Sequence, residues 1–220
     1  MLMTMPPNIL IADDHPLFRI ALKQAARLAF GKATVDEAGA IDDMLRLMAQ
    51  GPAYDLLLLD LHMPGARGFS GLIYMRGQYP EIPVVVVSGN DQDKTIAKAM
   101  NHGASGFIPK STDLPDMAQA IKTIINGAFW VPPGFSAGHE NLQDEEMSIA
   151  ETVAALTPQQ FRVFTLLSEG MLNKQIAYEM GVAEGTVKAH VTAILKKFGA
   201  YNRGQLIIAA QRLEADEMPE

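Results

Sequence analysis

The chain contains no cysteine in its 220 residues. That removes disulfide scaffolds, thiolate metal sites and thiol nucleophiles together, and it suits a reducing compartment. Long apolar runs are also missing: Leu56–Leu59 and Val84–Val87 fall far short of the ~20 residues a membrane helix needs. The opening Met1-Leu2-Met3-Thr4-Met5-Pro6-Pro7 has neither a basic stretch nor an apolar one behind it, so no signal peptide is expected. Neither a phosphate-binding P-loop nor a dinucleotide glycine pattern occurs, which leaves nucleotide-binding enzymes unsupported. The expectation is a soluble, cytoplasmic protein with no membrane partner.

What is present is enough apolar material for a buried core, 48% hydrophobic against 20% charged residues, which excludes wholesale disorder. The length fits two ordinary domains. The net charge of -7 is unevenly spread. Residues 131–155 hold five acids and no base, residues 156–212 hold seven bases against three acids, and the tail 213–220 adds four acids. A basic segment between acidic ones suggests that only the C-terminal piece meets a polyanion.

Through residue 127 short apolar runs alternate with helical patterns. Strands are expected at Asn8–Ala12, Ala33–Glu37, Asp55–Leu59, Pro83–Val87 and Ser105–Ile108, and the third and fourth lack polar alternation, as strands covered on both faces do. Helices are expected near His15–Phe30, Ile41–Gln50, Phe69–Gln78, Gln92–Asn101 and Leu114–Asn126. Five strand–helix units in a row imply an α/β domain with a doubly wound, five-stranded parallel sheet. From Val131 to about Ala155 the pattern weakens into a Pro/Gly-containing acidic linker, with a short helix at Glu145–Ala155 at most. The rest is all-α, four helices. Thr157-Pro158-Gln159-Gln160 is a capping box with Pro at its first position, Val163, Phe164, Leu166 and Leu167 share a face with Phe161 at its edge, and Gly181-Val182-Ala183 joins two helices as a helix-turn-helix. The expected domains are thus 8–127, a linker 128–155, 156–213, and an acidic tail 214–220.

Four strand ends carry polar residues to one edge of the expected sheet: Asp13-Asp14, Asp60, Ser88 and Lys110. Open parallel sheets bind ligands at that edge, where the strand order switches. Three carboxylates at one spot repel unless a cation sits among them, and Mg²⁺ favours a few carboxylates with waters and phosphate oxygens. Lys110 and Ser88 would supply a charge and a hydroxyl to a transferring phosphoryl group.

These residues, with Pro64-Gly65 after Asp60 and Gly103-Ala104-Ser105-Gly106-Phe107-Ile108-Pro109-Lys110, resemble a two-component receiver domain over about residues 8–127. The resemblance implies Asp60 as phosphoacceptor, Asp14 and Asp60 as direct Mg²⁺ ligands, Asp13 acting mostly through water, and the backbone carbonyl of His62 completing the protein ligands. It further implies that Ser88 and Lys110 hold the phosphoryl group and that Phe107 is a rotating switch aromatic. His62 and Asn90 fall at positions that vary in such domains and are expected near the attacking water.

On a helical wheel over Thr186–Phe198, Val187, Val191, Ile194, Leu195 and Phe198 form one stripe. Lys188, Ala189, Thr192, Ala193 and Lys196 lie opposite, small and basic enough for a major groove, with Thr186 at the start of the helix and His190, Lys197 and Lys174 flanking for phosphates. Residues 156–213 resemble a LuxR-type helix-turn-helix through Leu156-Thr157-Pro158, Gly170, Asn173-Lys174-Gln175-Ile176-Ala177 and Glu184-Gly185-Thr186-Val187-Lys188-Ala189-His190. That implies base contacts from Lys188 and dimerisation through the last helix. Family members often carry Ser where this chain has Ala183. In resembling regulators the unphosphorylated receiver packs over the recognition helix, so masking of Lys188, Lys196 and Lys197 is expected, helped by the acidic flanks.

The whole reading is a response regulator, not an enzyme, that takes phosphate from a sensor histidine kinase and controls binding to double-stranded promoter DNA as a homodimer. A haloacid dehalogenase-type phosphotransferase would need an acid two residues after the nucleophile, where His62 stands. A receiver joined to a protein-interaction helical module is the other alternative.

Overall fold

A computed structural model describes residues 5–136 and 144–214. The strands β1 (Asn8–Ala12), β2 (Thr34–Ala38), β3 (Leu56–Asp60), β6 (Val84–Ser88) and β7 (Gly106–Pro109) pair in parallel in the order β2-β1-β3-β6-β7. All of β3, β6 and β7 is buried. Helices α1 (Pro16–Phe30) and α5 (Leu114–Ile125) cover one face, and α2 (Ile41–Gln50), α3 (Ser70–Gln78) and α4 (Asp93–Asn101) the other. Burial on both faces is why these strands read as unbroken apolar runs. Because β1 lies between β2 and β3, the connections leave it in opposite directions and a crevice opens at the carboxyl ends of β1 and β3.

Four of the five strands run one residue later than the sequence suggests, so Ala38, Asp60, Ser88 and Pro109 close them. A small hairpin, β4 (His62–Met63) with β5 (Ala66–Arg67), follows Asp60 and has no counterpart in the apolar pattern. Its turn residue Gly65 sits at φ 86°, and a Cβ there would meet Ile41 Cγ2 at 2.5 Å.

The segment read as linker holds α6 (Asp144–Ala154), which packs along α3 and is a structural part of the seam between the two halves. Glu140 lies outside the described residues. Beyond α6 come α7 (Pro158–Ser168), α8 (Asn173–Met180), α9 (Glu184–Phe198) and α10 (Arg203–Arg212). The capping box forms as expected: Gln160 N–H donates to Thr157 Oγ1 at 3.3 Å and Thr157 N–H to Gln160 Oε1 at 3.2 Å.

The two halves share one apolar cluster. Phe161, the edge residue of α7, is fully buried and stacks on Tyr74 of α3 with ring centres 4.0 Å apart. Phe69 N–H donates to Leu213 O at 2.8 Å, Gly65 N–H to Glu169 Oε1 at 3.3 Å, and Arg162 pairs with Asp42. At the far end His102 Nε2 lies 3.1 Å from Glu146 Oε1, with Lys98 at 3.7 Å. Burial holds the His102 pKa below its ordinary value, against the pull of Glu146.

Gly77 sets how closely α3 approaches α6: an added Cβ would lie 2.6 Å from Ala154 Cβ and 2.7 Å from its carbonyl oxygen. Gly to Ala inside a helix ordinarily gains about 1 kcal/mol. Gly77→Ala is nevertheless expected to destabilise the full chain and to split its thermal unfolding into two transitions. A single transition at higher temperature would show that the seam yields without cost.

Candidate functional site

Asp60 ends β3 in the crevice with its side chain almost wholly buried. Lys110, just past β7, brings Nζ to 2.8 Å from Asp60 Oδ2 and 2.9 Å from Asp13 Oδ2. Its backbone N–H donates to Ser88 O at 2.8 Å, which ties the β6 and β7 ends together. Burial pushes the Asp60 pKa up, since desolvation outweighs the nearby Lys110 ammonium, while the Asp13 carboxylate adds to the rise. For Lys110 burial acts downward, but hydrogen bonds and charge from Asp13 and Asp60 prevail and its pKa is raised.

Asp13 is fixed by its surroundings: Arg19 Nη1 donates to its carbonyl at 2.7 Å and His15 N–H to its Oδ1 at 2.7 Å. One oxygen each of Asp13 and Asp14 is buried without a hydrogen bond of good geometry. Ligand atoms of Asp13, Asp14, His15 and Asp60 lie within 4.8 Å of one another. That donor set, carboxylate oxygens clustered about a buried Asp60 with Lys110 as their nearest cation, fits a divalent cation. The His62 side chain is exposed, and its N–H donates to Asp60 Oδ1 at 3.2 Å. Ser88 is fully buried on the strand beside β3, its Oγ accepting from Asn90 N–H at 3.1 Å. Phe107 is fully buried in β7, against the face that carries α4.

The sequence reading did not place His15 in this pocket. The signal was its position directly after Asp13-Asp14, where it begins α1; its Nδ1 stands 2.6 Å from Asp14 Oδ1 and 3.8 Å from Asp60 Oδ2.

The second constellation is α8-turn-α9. Thr186, Lys188, Ala189, Thr192, Lys196 and Lys197 are exposed, as is Lys174 on α8, and His190 is half-buried. Val187 and Ile194 point inward, and Phe198 stacks on Phe164 at 5.2 Å. Lys188 pairs with Glu184 one turn back at 3.0 Å, a surface ion pair typically worth ~0.3–0.5 kcal/mol. Lys197 Nζ donates to Ala155 O at 2.7 Å, so it must leave that carbonyl to reach a phosphate. Thr192 Oγ1 turns back to Lys188 O at 2.9 Å and presents its methyl outward.

The expected packing of the receiver over this face is not what the described residues show. The first half docks on α6, α7 and the end of α10, leaving the outward side of α9 exposed. Of the acids before α7, Glu146 turns into the seam toward His102 and Glu145 pairs with Arg212, while Glu140 and most of the acidic tail lie outside the described residues.

The response regulator receiver domain family matches residues 9–122, and the LuxR family of bacterial regulatory proteins matches residues 154–210. The chain belongs to the LuxR-type response regulators. It is 43% identical over 208 residues to the glycerol metabolism activator of Pseudomonas putida, covering 92% of this chain and 94% of that one. The nitrate/nitrite response regulator protein NarL of Escherichia coli K12 is 30% identical over 199 residues, covering 90% and 92%. Among solved structures, RcsB of Salmonella enterica serovar Typhimurium, bound to a promoter in the presence of a phosphomimetic, superposes with a TM-score of 0.55 at 20% identity, over 95% of this chain and all of the other. The response regulator thus couples a receiver to a LuxR-type DNA-binding domain and falls in a family of transcription regulators. Among its described residues no helix is long and apolar enough to cross a membrane.

One feature of the regulator's output domain departs from the common pattern. Ala183 caps α9 without a side-chain hydrogen bond. An oxygen at that position typically contributes ~1 kcal/mol. Ala183→Ser is therefore expected to raise the melting temperature of the output domain within the full chain; an unchanged value would mean that another group satisfies the first N–H groups of α9.

Proposed function

We propose that Asp60 accepts a phosphoryl group from a sensor histidine kinase and that this controls binding of α9 to double-stranded promoter DNA. The observation that carries the reading is the buried Asp60 carboxylate, 2.8 Å from Lys110 Nζ and grouped with Asp13 and Asp14 at the sheet's switch point. Asp60, Asp14 and the His62 carbonyl would hold Mg²⁺ directly and Asp13 mostly through water. The ion would supply positive charge for the phosphoryl oxygens and so offset repulsion between phosphodonor and carboxylates. Lys110 would exchange its carboxylate contacts for the phosphoryl group, and Ser88 Oγ would hydrogen-bond it. Phe107 would follow Ser88 inward, its ring rotating within the cluster beside α4. His62 and Asn90 flank the path of an attacking water.

In the output domain Lys188, Ala189, Thr192 and Lys196 would face the groove, with Thr186 at the start of the helix, and Lys174, His190 and Lys197 would meet phosphates. The working form would be a cytoplasmic homodimer joined through α10, whose Ile208 is half-exposed. The domain limits 8–127, 128–155, 156–213 and 214–220 describe its parts, with α6 making the middle segment a docking element.

Removal of divalent ions tests the pocket. Chelation with EDTA is expected to abolish labelling of the protein by a small phosphodonor, and added Mg²⁺ to restore it. Labelling that proceeds fully in EDTA would contradict the assignment.

A further inference from the structure

We infer that His15 is an additional ligand of the cation site, giving it a mixed nitrogen and oxygen donor set that favours borderline divalent transition ions over Mg²⁺. The inference rests on the phosphoacceptor reading of the same pocket.

His15 Nδ1 stands 3.2 Å from Asp13 Oδ1, 2.6 Å from Asp14 Oδ1 and 3.8 Å from Asp60 Oδ2. A single ring N–H could serve one of these three oxygens. The closest, Asp14 Oδ1, is buried and receives no hydrogen bond despite its 2.6 Å neighbour. Nδ1 and the ligand oxygens of Asp13, Asp14 and Asp60 all lie within 4.8 Å of one another, close enough to share one cation. Asp13 Oδ1 already accepts the His15 backbone N–H at 2.7 Å, so the start of α1 and the carboxylate are positioned together. Lys110 Nζ, 3.3 Å from Nδ1, shares the pocket and is the group that pairs with a phosphoryl oxygen in the proposed reaction.

The His15 side chain is 63% exposed, which opens the pocket to solvent on that side and lets an ion enter without disturbing the core. Hard Mg²⁺ prefers oxygen ligands and keeps several waters, so an imidazole adds little to its binding. Neutral imidazole is a good ligand for borderline ions, and affinity for mixed sites rises along the first transition series. The pocket should therefore hold Mn²⁺, Co²⁺ or Zn²⁺ more tightly than an all-oxygen receiver site would.

The test uses the full chain and Mn²⁺, whose free concentration is read by electron paramagnetic resonance and whose directly bound nitrogens are read by pulsed methods. Wild type should show a directly coordinated ¹⁴N. His15→Ala and His15→Gln should both lose that coupling and bind Mn²⁺ at least about tenfold more weakly, no less than the loss of an outer-shell partner typically costs. Mg²⁺ should displace Mn²⁺ from either variant at a lower ratio than from wild type. His62→Ala should keep the coupling. No ¹⁴N coupling in wild type, or coupling that survives both His15 changes, overturns the inference while bound Mn²⁺ that Asp60→Asn weakens still supports the pocket. Mn²⁺ that fails to bind, or that binds equally to Asp60→Asn, overturns the pocket reading and the inference together.

Discussion

Asp60→Asn is expected to abolish labelling by a small phosphodonor in the presence of Mg²⁺ and, at the same time, to raise the melting temperature at neutral pH. The first outcome follows from chemistry: an amide of nearly the same shape has no anionic oxygen to attack phosphorus. The second follows from the raised pKa of Asp60, caused first by burial. A carboxyl that holds its proton more tightly when folded contributes stability below its ordinary pKa of about 4 and loses it as pH rises through the folded value. At neutral pH the ionised Asp60 is a net cost, and asparagine removes it. Lys110 is not stranded by the change, because Asp13 Oδ2 remains at 2.9 Å. The gain should shrink as pH falls toward 4, where Asp60 takes up its proton in either state. Labelling at full stoichiometry would end the phosphoacceptor assignment; a lower melting temperature would show that Lys110 needs both carboxylates.

Lys188→Ala is expected to cost ~1–3 kcal/mol on the cognate DNA and to relax base preference at one position, whereas Lys174→Ala should weaken all sequences alike. The structure sharpens this division. Among the described residues Lys188 pairs with exposed Glu184, so moving it to a base edge gives up little. Lys174 is exposed on α8, outside the face of α9 proposed to meet bases. Loss of a phosphate contact should also flatten the salt dependence by about 0.9 in the slope of log K against log salt. Measuring both variants on cognate and random DNA at several salt concentrations decides the matter, and equal effects on the two DNAs would refute separate roles.

Much of this architecture was legible because each signal has one physical cause. Leu56–Leu59 and Val84–Val87 could only be strands buried on both faces, and Thr157 with Gln160 closes a capping box as its spacing demands. The ends of those strands were not legible, since the ladder runs one residue further onto Asp60 and Ser88, polar residues kept by their partners across the sheet. The hairpin at His62–Arg67 is too short for any period to show. Phe161 looked peripheral on its own helix because the surface it fills belongs to Tyr74, 87 positions earlier. Glu146 read as one acid in a solvated run, and only the fold reveals His102 opposite it. Seams between domains are pairings of distant residues, and a single chain's periodicity carries no record of them. The pocket was legible as Asp13, Asp14, Asp60, Ser88 and Lys110, whereas His15 needed the three-dimensional approach of α1 to the carboxylates.

Exposure of α9 gives the account its sharpest consequence. Under the proposed phosphorylation of Asp60, control of DNA binding would run not through uncovering α9 but through contacts that join the two halves, such as Gly65 with Glu169 and Phe161 on Tyr74. The most direct measurement is the affinity of the full chain for DNA recovered by selection from genomic fragments, taken with and without a small phosphodonor, for wild type and Asp60→Asn in parallel. The account predicts tighter binding by phosphodonor-treated wild type and no response from Asp60→Asn. An unchanged wild type, or an equal response from Asp60→Asn, would contradict it.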